Sequence, residues 1–135
     1  MKQPGWENRL IKYIGERMQK PFRPGELDCG LFAGGAVHVM TGENFIEPLA
    51  GKYRTIEDAY KLLNKMGHDD HVSYAASVFE EWDAPIFAQR GDLAVVNDAE
   101  GHPALGIVQG EHIYLMGLQG IGLAPLTAAV RAFKV

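Results

Sequence analysis

A chain of 135 residues with a net charge of -4, 47% hydrophobic and 22% charged residues is the size of one domain, able to bury ~65–70% of the surface its unfolded form exposes. The acidic balance offers no basic footprint for DNA or RNA, and no uninterrupted apolar run approaches the ~20 residues of a membrane helix. A single cysteine cannot close an internal disulfide, and the polar start Met1-Lys2-Gln3-Pro4-Gly5 lacks the apolar run of a secretory signal. The expectation is a chain made in a reducing cytoplasm.

From Pro4 to Met18, Trp6, Leu10, Tyr13, Ile14 and Arg17 recur at helical spacing, which predicts a first amphipathic helix with Pro4 in its first turn. Pro21, Pro24 and Gly25 then break the periodicity. A second helix is expected from Asp28, a suitable N-cap, to about Thr41. Its glycines and alanines (Gly30, Ala33, Gly34, Gly35, Ala36) are weak or merely small helix residues, so its stability must come from close packing as a buried central element. After a loop from Gly42 to Arg54, Thr55-Ile56-Glu57-Asp58 resembles a capping box. It opens a third helix that carries Ala59, Leu62, Leu63 and Met66 and stops at Gly67. A shorter helical stretch is expected around Asp70 to Trp82.

After Pro85 the period changes. Asp92–Val96, Ala104–Val108 and Ile113–Met116 read as short strands, and Val130–Val135 as a last strand returning to the same sheet. Gly110 and Glu111 suit a two-residue hairpin that pairs Gln109 with His112. Helices first and strands second predict an α+β fold: N-terminal helices packed on a C-terminal antiparallel β-sheet, with no repeat or linker to mark a second domain. Trp6 and Trp82 are expected in the core.

Cys29 is the residue most able to carry chemistry. A thiol in the first turn of a helix sees the positive end of the backbone dipole and unpaired N–H groups, both of which favour the reactive thiolate. The alternative is an inert small hydrophobe. A nucleophilic cysteine needs a base within hydrogen-bond reach and a group that orients the base. Of the five histidines, His38 lies nine positions on and falls on the opposite helix face. His68 and His71 read as surface residues, and His112 as a solvated turn residue. His102 remains, expected to share a strand face with Ala104 and Gly106. The hairpin register sets Gln119 across from it, so Cys29, His102 and Gln119 form the candidate constellation. Gly101-His102-Pro103 also reads as an ordinary exposed turn.

Asp28-Cys29-Gly30-Leu31-Phe32 resembles the Asp-Cys-Ser-Gly-Leu nucleophile motif of the NlpC-like cell-wall peptidases, the bacterial branch of the papain-like cysteine peptidases. Gly91-Asp92-Leu93 resembles their Gly-Asp-Leu strand, and Ala104-Leu105-Gly106-Ile107-Val108 their His-Val-Gly-Ile-Tyr strand. The chain as a whole is similar to small phage and prophage proteins encoded among tail genes, through Trp6, the Asp28–Phe32 motif, Met40-Thr41-Gly42 and Arg131-Ala132-Phe133. The resemblance implies a single papain-like (NlpC-like) domain over residues 1–135, acting without cofactor or metal. Ala104 stands where an active member carries its general base, and Gly30 replaces the Ser after the nucleophile.

Two roles follow from the resemblance. One is a structural tail-tip component with a degenerate peptidase site, made in the bacterial cytoplasm, assembled into the virion tail and contacting other phage tail proteins. The missing base favours this role. The other is an active cysteine endopeptidase or amidase that cleaves peptidoglycan peptides during genome delivery. There Cys29 attacks, His102 shuttles the proton and Gln119 orients His102. A host domain of unrelated function is the third possibility.

Overall fold

A computed structural model describes residues 1–135. Four helices precede the sheet: α1 (Trp6–Arg17), α2 (Cys29–Thr41), α3 (Ile56–Lys65) and α4 (His71–Val78). The five strands β1 (Leu93–Asn97), β2 (Pro103–Gln109), β3 (His112–Gly117), β4 (Gly120–Pro125) and β5 (Arg131–Phe133) form one antiparallel sheet in the order β4-β3-β2-β1-β5. The α+β class read from the sequence is therefore the observed one, and Gln109 pairs with His112 as the hairpin predicts.

Local chemistry explains most of the helix ends. Asp28, Thr55 and Asp70 are N-caps whose side chains accept the N–H groups of Leu31, Asp58 and Ser73, filling donors that the first turn leaves unpaired. Helix α1 begins one residue after Gly5, whose φ of 80° supplies the turn, so Pro4 lies just outside the helix. The small residues of α2 do serve close packing. A Cβ at Gly35 would collide with the Tyr13 hydroxyl, and one at Gly34 with Ile46. Tyr13 donates its hydroxyl to the Phe32 carbonyl at 2.8 Å, tying α1 to the first turn of α2.

Strand alternation divides the core. Leu93, Val95, Leu105, Ile107, Met116 and Phe133 join α1, α2 and α4 in the main cluster, while Ala94, Val108, Ile113 and Ala132 face the other side under Trp82, Leu126 and Ala129. Both tryptophans are half-buried, each packed on one of these clusters. Asp92, from the Gly-Asp-Leu segment, is 3% exposed and fully used. It accepts the N–H groups of Gln89 and Val135 and the Trp82 indole, and pairs with Lys2 at 3.5 Å, which fastens both chain ends to the start of β1.

Two segments depart from the expected elements. Helix α4 stops at Val78 rather than Trp82, because the following residues hydrogen-bond alongside β5: Trp82 N–H donates to the Ala132 carbonyl and Lys134 N–H to the Glu80 carbonyl. Strand β4 has no counterpart among the predicted elements. Its Gly-Ile-Gly-Leu-Ala-Pro sequence carries turn residues, tolerated because β4 lies at the sheet edge.

Candidate functional site: a cysteine–histidine pair at a helix N-terminus

Cys29 occupies the first position of α2. The Asp28 carboxylate beside it is buried and satisfied: one oxygen accepts Leu31 N–H at 2.9 Å, the other Gly25 N–H at 3.2 Å and the Tyr53 hydroxyl at 2.5 Å. Asp28 thus holds the preceding loop and Tyr53 against the helix end. The backbone amides of Cys29, Gly30 and Leu105 face the sulfur. Leu105 reaches it because the β2–β3 ladder ends at Gly106 paired with Leu115, one residue short of Leu105.

His71 supplies the imidazole. Its Nε2 lies 3.4 Å from Cys29 Sγ, within hydrogen-bond range for sulfur. Helix α4 delivers it: with Asp70 as N-cap, His71, Tyr74 and Ala75 fall at i, i+3 and i+4 and line one stripe turned toward α2. Gly30 packs against His71: a Cβ there would sit 3.5 Å from His71 Cβ, an ordinary van der Waals contact.

Electrostatics keep the resting pair neutral. Burial, then the adjacent Asp28 charge, push the Cys29 thiol up to about 11 against the pull of the nearby amides. This reverses the expectation that the helix end alone would favour thiolate, since the thiol is largely shielded from water and the Asp28 charge beside it opposes the thiolate. Burial also lowers His71 below its ordinary 6.5, while Asp70 and Asp28 act in the opposite direction.

Beside the pair lies a cavity of about 100 Å³, lined by Phe45, Leu49, Ala59, Tyr60, Leu63 and Tyr74 among others. No lysine or arginine lines it, and its only carboxylate is the satisfied Asp28. The Tyr74 hydroxyl is committed to the Phe45 carbonyl and that of Tyr53 to Asp28.

The constellation read from sequence is not brought together. His102 is 68% exposed, in a turn where the Asp98 carboxylate accepts the backbone N–H groups of Glu100 and His102, and its ring lies 3.5 Å from Asp98 and 3.6 Å from Glu100. Strand parity excludes it from the thiol: Leu105 and Ile107 point toward α2, so positions sharing a face with Ala104 and Gly106 point away. Gln119 sits exposed in the two-residue turn between Gly117 and Gly120, and the β2–β3 ladder ends before His102 and Gln119 could face each other. His38 and His112 are exposed, and His68 lies against Ser73 and Tyr74. The surface reading of His71 is corrected by its contact with Cys29; the sequence carried one signal of it, the ring's place on the Tyr74–Ala75 stripe behind an N-capping aspartate.

No group of three or more His, Cys, Asp or Glu side chains is placed to hold a metal ion, and no helix is long and apolar enough to cross a membrane. Fold and site together define a small α+β domain with a thiol–imidazole pair beside an apolar cavity. The family model for a domain of unknown function, DUF6950, matches residues 1–135, and the chain belongs to that family. Comparison with curated proteins finds no match.

Proposed function

We propose that this chain is a cysteine-dependent hydrolase or acyltransferase of the NlpC-like, papain type, with Cys29 as nucleophile and His71 as general base. The observation that carries the reading is the 3.4 Å approach of His71 Nε2 to Cys29 Sγ at the first turn of α2. It supplies the base that Ala104 withholds, from α4 instead of β2. A neutral imidazole is the form that can take a proton. As Sγ attacks a carbonyl carbon, His71 removes the thiol proton, and the carbonyl electron pair moves to oxygen, near the amides of Cys29, Gly30 and Leu105. The imidazolium that forms is favoured by the Asp70 and Asp28 charges. It returns the proton to the leaving group as the C–X bond breaks. Water, deprotonated by His71, then cleaves the thioester and restores the thiol.

The test uses p-nitrophenyl acetate, following p-nitrophenolate release and the acetylated protein by mass spectrometry. Acetyl transfer to Cys29 is expected, with His71→Gln lowering the rate about 10²–10⁴-fold and His102→Ala leaving it unchanged. Equal turnover by Cys29→Ala would remove the nucleophile, and equal turnover by His71→Gln the base.

A second reading, a structural tail component contacting other tail proteins with its reaction lost, is favoured by one observation: burial opposes the charged form of both Cys29 and His71. On that reading the protein is present at fixed stoichiometry in purified tails, and Cys29→Ala particles infect as well as wild type. A loss of infectivity with normal assembly would favour the enzyme.

A further inference from the structure

We infer that the cavity beside Cys29 and His71 is an acyl pocket for a short, uncharged aliphatic group, so that the bond attacked joins such a group to its leaving group. The inference rests on the hydrolase reading and narrows its substrate. Cys29, His71 and the satisfied Asp28 carboxylate stand at one wall of the cavity, and the rest is built from apolar side chains and three tyrosine rings, of which Tyr53 and Tyr74 have bonded hydroxyls and Tyr60 is partly exposed. A carboxylate entering it would lose its hydration and find no cation, since no lysine or arginine lines the cavity. Acidic cell-wall peptides therefore suit this pocket poorly on their acyl side. An apolar cavity of about 150 Å³ holds benzene, so one of about 100 Å³ holds a chain of about four carbons.

The chemistry is that of the pair. The thiol sulfur bonds to the carbonyl carbon, the leaving group departs with the proton held by His71, and water completes hydrolysis with release of the short-chain acid. Binding of each methylene favours a longer chain by about fourfold.

The test compares p-nitrophenyl acetate, propionate, butyrate, hexanoate and monosuccinate. The inference predicts kcat/KM rising about fourfold per methylene up to butyrate, levelling at hexanoate, with the succinate ester below acetate. Filling the cavity by Ala59→Leu is expected to lower the butyrate-to-acetate ratio, whereas His102→Ala preserves it. Methyl and butyl methanethiosulfonate form disulfides with Cys29 without acyl chemistry, so their labelling rates probe the pocket separately. Faster labelling by the butyl reagent, lost in Ala59→Leu, supports the pocket even where esters are not turned over, a result that would overturn only the hydrolase reading. Turnover with a flat chain-length series, a preference for succinate, or equal labelling by both reagents would overturn the pocket.

Discussion

The two faces of the sheet are built from the same strands and serve different ends. Toward α2 the strands present Leu93, Val95, Leu105, Ile107, Met116 and Phe133, which merge with three helices into one large cluster that borders the thiol. Away from α2 they present the smaller set Ala94, Val108, Ile113 and Ala132 under a thin cover. One step along a strand separates the faces. That step divides the two histidines as well: His71 arrives over the helical face and meets Cys29, while His102, in the turn just before β2, lies among Asp98 and Glu100 in solvent. Reactivity here depends on which face a side chain enters, not on its distance along the chain.

The largest loss is expected where the largest side chain is removed. Phe133→Ala empties a fully buried site on the helical face and is expected to cost about 3–5 kcal/mol, whereas Ile113→Val, which deletes one methylene from an equally buried site on the other face, should cost about 0.5–1.5 kcal/mol, by urea unfolding. A Phe133→Ala loss as small as that of Ile113→Val would show that the helical face is not packed as described. Removing the cap and anchor at Asp28 by Asp28→Ala is expected to cost about 1–2 kcal/mol and to loosen Tyr53. An unchanged urea midpoint would show that the α2 end is held by something else.

A pH effect follows from His71. Its folded pKa lies below 6.5, so between that value and the carboxylate range the unfolded chain binds more protons than the folded one. Stability therefore rises with pH there and is lost on acidification below 6.5. His71→Phe should flatten that limb, and an identical acid limb in the variant would show that His71 is not buried as described. At the alkaline end the sign is opposite: Cys29 keeps its proton in the fold, and its contribution is lost as pH rises from 9.0 toward about 11. The smallest effect is expected at His102→Ala, within about 0.5 kcal/mol, because its ring is solvated.

Features set by neighbouring residues were legible in the sequence. Asp28 as the cap of α2, Thr55 as the cap of α3 and the Gly110-Glu111 hairpin all depend on a few adjacent positions. The Gly-rich middle of α2 also announced close packing, since only contact can compensate for weak propensity. Features decided by tertiary pairing were not. Residues 80–82 leave the helical pattern to hydrogen-bond beside β5, and β4 forms from Gly and Pro because β3 offers an edge. His71 was hidden for the same reason: whether α4 turns that ring to solvent or to α2 depends on how two helices meet, and periodicity fixes only its stripe. His102 was attractive because strand alternation groups it with Ala104, yet alternation does not say which face α2 covers.

The pairing of Cys29 with His71 is tested most directly by NMR titration of ring-labelled histidines before and after alkylation of the thiol with iodoacetamide. His71 is expected to titrate with a midpoint below 6.5 that moves, with its resonances, once the sulfur is capped, while the His102 signals stay in place. A shift confined to His102, or no response at His71, would contradict the pairing.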